Sequence, residues 1–294
     1  MSGKSFSIVN IPLEALSEPA TKLIETVADA VGVLYEPTRI RRKAEAEVEA
    51  AKIRLEGSIE LQQIALHSSN RLNNLEARRQ RIIESIVDKA IQQLPDHVSD
   101  EEVDEDWVFQ FFNYCQDVSN EQMQELWACL LAGEVAEPGS YSLRTLNIVR
   151  MLRQDDATLF ELMSNYVWNG LYVFHNEEMD ELLKSRGLYP VRFLHLQFLG
   201  LLIPATLLGI TLGKGDMYET EYFGKVHRLT YRKGPKERLL FAYTLTDSGQ
   251  ELLSLCNSEP DEEYRTALVK SWSDAGIEVE ISESKPGGFP SPSI

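Results

Sequence analysis

Residues 38–94 read TRIRRKAEAEVEAAKIRLEGSIELQQIALHSSNRLNNLEARRQRIIESIVDKAIQQL, 57 residues with no proline and one glycine, Gly57. Proline removes a helical donor and glycine weakens a helix interior, so their scarcity favours continuous helix. Ile40, Ala44, Val48, Ala51, Leu55 and Ile59 step by three and four, and Leu72, Leu75, Ile82 and Ile86 resume the rhythm with Arg79 interrupting it. At ~1.5 Å per residue a single helix here would span about 86 Å. The weak breaker His67-Ser68-Ser69-Asn70 offers a second arrangement, a helical hairpin turning at that point. In either form the apolar stripe has to be covered by other helices. Self-association through Thr38 to Leu94 is therefore expected, with Ile40, Val48, Leu55, Leu72, Ile82 and Ile86 central to it.

Upstream, Ser17 or Glu18 to about Leu34 predicts an amphipathic helix: Ser17 can cap it, Pro19 suits its first turn, and Glu36-Pro37 follows its end. Downstream, Asp96 to Asp106 holds seven acids in eleven residues and reads as a solvated connector. Trp107 to Tyr114 presents an aromatic helical face entered from that acidic side, where negative charge complements the helix dipole. Ser119-Asn120-Glu121-Gln122 has capping-box spacing before Met123, Leu126, Trp127, Leu130 and Leu131, with Gly133 as the expected stop. Pro138-Gly139-Ser140 makes a turn, Ser142 caps a helix to about Leu152, and Asp155 or Asp156 caps another to about Trp168.

After residue 170 the pattern changes. Gly170 to His175 suits a short strand, Asn176 to Ser185 and Val191 to Leu202 read as helices, and Tyr222–Arg232 with Arg238–Leu245 alternate as two strands. A hairpin around Lys233-Gly234-Pro235-Lys236 is expected, then a helix capped at Thr246-Asp247-Ser248-Gly249. Phe198-Leu199-Gly200-Leu201-Leu202-Ile203 and Tyr243-Thr244-Leu245-Thr246-Asp247-Ser248-Gly249-Gln250-Glu251-Leu252 are similar to the end of a recognition helix and the exit from a wing. The stretch 154–257 thus resembles a winged-helix domain, although the Ala205 to Glu221 insert departs from a compact wing. After Glu259-Pro260 come a helix to about Ser273 and a strand at Ile277 to Ile281, and Ser282 to Ile294 is expected to be mobile. The expected fold is mainly α: a long helical, coiled-coil-like N-terminal region and helical bundle, then a winged-helix-like α+β domain. Its expected segments are 1–95, 96–153, 154–257 and 258–294.

The whole chain of 294 residues is long enough for about two domains. With 29 Lys and Arg against 46 Asp and Glu it carries −17, a field that repels duplex nucleic acid and anionic lipid except at a locally basic patch. Cys115, Cys129 and Cys256 are odd in number and lack C-x-x-C spacing, which argues against a disulfide framework and for a reducing cytoplasm. Met1 to Leu16 does not read as a secretory leader and no stretch reaches 18 apolar residues, so a cytoplasmic protein without a transmembrane segment is expected.

Three stretches carry a larger resemblance: Gly32-Val33-Leu34-Tyr35-Glu36-Pro37-Thr38-Arg39-Ile40-Arg41-Arg42, then Met123-Gln124-Glu125-Leu126-Trp127-Ala128-Cys129-Leu130-Leu131-Ala132-Gly133-Glu134, then Pro138-Gly139-Ser140-Tyr141-Ser142-Leu143-Arg144-Thr145-Leu146. Through them the chain resembles a bacterial family whose domain has no known function. Trp127, Glu134, Pro138, Gly139, Ser142 and Arg144 would then be its structural signature residues. Similar amino-terminal patterns occur in proteins named for abortive phage infection, so a defence effector is one alternative that the resemblance implies.

Two basic clusters stand against the overall sign. Arg39, Arg41, Arg42 and Lys43 offer a docking patch, weighed against a solvated face paired with Glu45, Glu47 and Glu49. Lys225, Arg228, Arg232, Lys233, Lys236 and Arg238 oppose only Glu237 and would suit phosphate contacts from a wing. The recognition-like helix, however, offers mainly Arg192, His195 and Gln197 among apolar residues. Glu134, Ser140, Ser142 and Arg144 could form an anion pocket at a helix start, although a capped turn explains them more simply. The five histidines show no H-E-x-x-H spacing, G-x-S-x-G is absent, and Gly209 to Gly215 lacks a phosphate loop's full spacing and its Ser or Thr after lysine. No cofactor, metal or catalytic residue is expected. The leading reading is a non-catalytic interaction protein, a homo-oligomer or protein binder, with a nucleic-acid-binding regulator as the weaker alternative.

Overall fold

The computed structural model describes residues 17–28, 59–204 and 209–283. The chain divides into two compact units, residues 1–150 and 151–294. Ten helices and two three-stranded antiparallel sheets lie among the described residues, with every strand after residue 170.

In the first unit, α1 (residues 18–28) buries Ala20, Leu23 and Val27. Lys22 donates from Nζ to the carbonyls of Ser99 and Glu101, tying α1 to the acidic connector. Helix α2 (Ile59–Gln93) runs unbroken through His67-Ser68-Ser69-Asn70, which overturns the hairpin turn considered there; Thr38 to Ser58 lies outside the described residues. Serine and asparagine are weak helix formers, yet a few tenths of a kcal/mol each cannot outweigh the packing of the same helix farther along. There Ile82, Ile83, Ile86, Val87 and Ala90 are buried, and Ser85 donates to Gln124 Oε1 at 2.9 Å on α4 (Glu121–Ala136). Ile82 and Ile86 are thus core residues of this unit rather than centres of self-association. Arg79, which breaks the apolar stripe, makes a two-point bond to Asp117 at 2.9 and 2.8 Å.

Helix α3 (Glu105–Cys115) starts where the acids end, with Asp104 capping the amide of Trp107 at 2.8 Å. Its ring face stacks Trp107 on Phe111 at 5.2 Å and sets Phe111 edge-on to Trp127 at 5.3 Å. The cap of α4 is Asn120, one residue beyond the expected Ser119. Gly133 does not stop α4, which continues to Ala136; a β-carbon at Gly133 would lie 2.7 Å from the Tyr141 ring, so this glycine admits a close neighbour. Ser142 caps α5 (Leu143–Met151) through the amide of Thr145.

The second unit opens with α6 (Gln154–Ser164), then β1 (Tyr172–Phe174), α7 (Glu177–Ser185) and α8 (Pro190–Phe198). Its strands continue with β2 (Gly209–Gly213), β3 (Met217–Tyr222), β4 (Lys225–Tyr231) and β5 (Glu237–Thr244), followed by α9 (Asp247–Leu253), α10 (Glu262–Asp274) and β6 (Ile277–Glu283). One sheet has the order β1-β5-β2 and the other β3-β4-β6. The expected hairpin between 222–232 and 238–245 does not form. Strand β4 folds back on β3 across the two-residue turn Phe223-Gly224 and takes β6 on its other edge, leaving no edge for β5. β5 instead pairs Thr244 with Tyr172 of β1 and Phe241 with Gly209 of β2. Alternation marks a strand but does not choose its neighbour.

Trp168 is fully buried at the centre of this unit, with Tyr222 at 4.7 Å, His227 at 4.8 Å, Trp272 at 5.3 Å and Phe174 at 6.0 Å between ring centres. These rings come from four elements, so α10 is part of this unit's core rather than an appendage, and β6 pairs with β4 beside it. Ser282 and Glu283 are the last residues of β6.

Candidate interaction surfaces

Helix α8 is apolar on both sides. Phe193 and Leu196 are buried, with Phe193 stacked on Tyr243 at 4.0 Å. On the opposite side Val191 is 68% exposed, Leu194 48% and Phe198 82%. Spacing of three and seven residues places these three side by side, and half-exposed Tyr189 precedes them. A helix apolar all round normally lies in a core, so one with a single buried side presents a contact surface. Of the polar residues of α8, Arg192 is exposed and two make bonds. His195 bonds Asp156 Oδ1 at 2.7 Å, and Gln197 donates to the carbonyl of Ile203 at 3.1 Å. Partial burial works against ionisation of Asp156, but the His195 bond and the Arg153 amide hold its carboxyl below the ordinary value. The sequence contained the signal for this surface, since PVRFLHLQF is apolar at nearly every turn, but only the fold separates its two sides.

Of the six cations assigned to a wing, Lys225 and Arg228 lie on β4, Arg238 on β5 and Arg232, Lys233 and Lys236 between them, and three of the six pair with carboxylates. Arg228 sits between Glu219 and Glu280, its register neighbours on β3 and β6, at 2.8 and 3.4 Å. Arg232 meets Glu278 at 2.9 Å and Lys225 meets Glu262 at 2.9 Å. The bonds from Lys225 and Arg265 hold the Glu262 carboxyl below its usual value. Arg238 donates to the carbonyl of Ala275 at 3.4 Å. Lys233 and Lys236 remain exposed, joined by Lys214, whose amide bonds the carbonyl of Lys236 at 3.3 Å; none of the three has an ion-pair partner among the described residues.

At the turn after α4, Glu134 is buried and accepts from the amides of Gly139 at 2.7 Å and Tyr141 at 2.9 Å. Its carboxylate thus occupies the place where a pocket anion would seek donors. Ser140 donates to the carbonyl of Glu137, Ser142 caps α5, Gly139 takes the left-handed conformation of the turn, and Arg144 is exposed in the first turn of α5. Trp127 is fully buried. Arg39, Arg41, Arg42 and Lys43 lie outside the described residues. On α2, Ile64, Leu66 and Leu72 are exposed.

The three cysteines are free thiols, and burial pushes Cys115 and Cys256 well above their ordinary value. Among the described residues no group of His, Cys, Asp and Glu could hold a metal ion, and no helix is long and apolar enough to cross a membrane.

Residues 67–269 match the family described as protein of unknown function, DUF2806, and the chain belongs to that family. The stretches Met123–Glu134 and Pro138–Leu146 fall inside the matched residues and Gly32–Arg42 outside them. No curated protein and no solved structure matches the chain.

Proposed function

We propose that this member of the DUF2806 family is a non-catalytic interaction protein. In this reading the second unit is a winged-helix-like module that docks a protein through the outer side of α8, and copies of the chain associate through the N-terminal helices. The module assignment is supported by the order α6, β1, α7, α8, β2, β5 and α9, with β5 between β1 and β2 and the β3–β4 hairpin inserted between β2 and β5. The observation that carries the protein-docking reading is the character of α8. Beside the single exposed Arg192, this helix exposes Val191, Leu194 and Phe198, where a nucleic-acid reader would carry more arginine, lysine or asparagine. Self-association is supported by Ile64, Leu66 and Leu72 standing exposed on α2.

Two charge-insertion variants test the two halves. Ile64→Glu with Leu72→Glu lowers the molar mass measured by light scattering at micromolar concentration, whereas Leu194→Glu with Phe198→Glu leaves the mass unchanged and reduces binding of an apolar fluorescent dye. Both pairs are exposed, so the folded circular dichroism spectrum is retained. A monomeric wild-type chain refutes the association half.

The nucleic-acid reading keeps one observation in its favour, the unpaired Lys214, Lys233 and Lys236. Three phosphate contacts give a salt dependence of slope about −2.7 in log K against log salt, where six would give about −5.4. No retardation of duplex DNA at low salt removes that reading.

A further inference from the structure

The outer edge of β3 and the cleft beside it are used by neither half of the docking reading. Phe223 and Gly224 alone turn β3 into β4, and in a hairpin of that length the flanking pair, Tyr222 and Lys225, closes the hydrogen-bond ladder. Bonds toward β4 therefore fall on Tyr222, Thr220 and Tyr218, and the amides and carbonyls of Glu221, Glu219 and Met217 point the other way. β3 is the end strand of its sheet, so among the described residues no strand takes these outward groups.

Glu221 is served from the loop before β1. Asn169, left-handed at φ 51°, donates its amide to the Glu221 carbonyl at 2.9 Å and accepts the Glu221 amide on Oδ1 at 2.6 Å, the two-point bond that a neighbouring strand would make. Beyond it the main-chain groups of Glu219 and Met217 have no partner among the described residues; Glu219 is exposed and Met217 is 70% exposed. An open edge of this kind is a template for another extended chain.

The cleft supplies the side-chain chemistry. Its volume is about 810 Å³, and Tyr218 of β3 lines it with Tyr172 of β1, Leu171 before β1 and Leu253 of α9. Asn169 Nδ2 donates to the Tyr218 hydroxyl at 3.3 Å, which holds that ring in place before a guest arrives. Side chains alternate along a strand, so Tyr218 stands on the opposite side of β3 from Glu219 and Met217. In an added strand, the residue bonded to Glu219 shows its side chain on the Glu219 side, and the next residue shows its own on the Tyr218 side, at the cleft. No lysine, arginine or histidine lines the cleft, and the chain carries −17, so an acidic side chain finds no counter-charge there. We propose that an extended segment of a partner protein adds as a strand to the outer edge of β3, its main chain bonded to Glu219 and Met217 and a large uncharged side chain set against Tyr172 and Tyr218. Main-chain bonds give such a contact its affinity and the cleft gives it selectivity. The surface shares no residue with the outer side of α8.

The test selects random heptapeptides displayed on yeast against the full chain and titrates the winning peptide, synthesised with a fluorescent label, by polarisation. The winner is expected to carry large uncharged residues at alternate positions. N-methylation of one alternate set of its amides weakens binding about tenfold, and N-methylation of the other set leaves it unchanged. Glu219→Pro removes the outward amide without removing a bond to β4 and weakens binding at least about tenfold, whereas Glu219→Gln, which keeps that amide, binds as wild type. Met217→Pro, at the first position of the strand, takes its place where Glu219→Pro loses the folded circular dichroism spectrum. Leu194→Glu with Phe198→Glu leaves the titration unchanged. A library without a saturable binder, equal effects of the two methylation sets, full binding by the folded proline variant, or loss of binding in the α8 variant overturns the proposal.

Discussion

Replacing Gly133 by alanine separates a helix-propensity effect from a packing effect at one atom. In an open helix interior the change stabilises by about 1 kcal/mol, because glycine loses more backbone freedom on folding. Here the added carbon would lie 2.7 Å from both Cε2 and the hydroxyl of Tyr141, well inside van der Waals contact. Tyr141 cannot translate to make room. Its amide donates to Glu134 at 2.9 Å and its carbonyl accepts from the Trp107 indole at 2.6 Å, so only the ring can pivot, and it is buried. Overpacking of this kind costs about 2 kcal/mol. The difference predicts a net loss of about 1 kcal/mol, or about 3 °C in a unit of this size. Both units contain tryptophan, so the assay is hydrogen exchange of the α4 amides across a urea series, which reports the first unit alone. In a Tyr141→Leu background, where the ring is gone, the same glycine-to-alanine change regains its gain of about 1 kcal/mol. The cycle then shows a coupling of about 2 kcal/mol. A stabilised Gly133→Ala single variant, or no coupling in the cycle, refutes the packing argument.

Further outcomes follow from the same geometry. Glu134→Ala strands two amides in the turn and costs about 3 kcal/mol by urea unfolding, whereas Glu134→Gln keeps one acceptor and costs about half as much. Burial lowers His227 and His175 below their ordinary values, so the unfolded chain binds more protons once the pH drops below about 6.5. Stability of the second unit is thus full above that point and declines as the pH falls toward 5, and His227→Gln flattens the profile. The carboxyls of Asp117, held low by Arg79, and Asp261, held low by the Tyr264 amide and then Arg186, affect stability only below about 4, which keeps the two windows apart. Thr246→Ala removes the α9 cap and the hydroxyl bond to the Gly200 carbonyl, costs about 1 kcal/mol, and is largely restored by serine.

What could be read from the sequence was local. Asp104 before α3, Thr246 before α9 and the Pro138-Gly139 turn are each decided within four or five residues, and each appears where its chemistry requires. Gly133 misled because glycine permits two different things, an ended helix or a close neighbour, and the neighbour lay eight residues on, at Tyr141. The β4–β5 hairpin misled because β6, which fills the open edge of β4, is nearly fifty residues distant in the chain.

The basic wing shows most directly why charge counted along a chain differs from charge on a surface. Between Lys225 and Arg238 the charged residues are cationic except for Glu237, but a strand shows its residues to the strands beside it, and those belong to other stretches. Glu219 arrives from β3, Glu278 and Glu280 from β6, and Glu262 from α10, each within 3.4 Å of an arginine or lysine. Opposite charges on adjoining strands stabilise the sheet, and to that extent they are withdrawn from any polyanion. The same fold turns α8 the other way. Having placed Phe193 and Leu196 inside, it has no interior left for Val191, Leu194 and Phe198. The strands that looked made for phosphate thus spend part of their charge internally, and the recognition-like helix is left able to gain by burial.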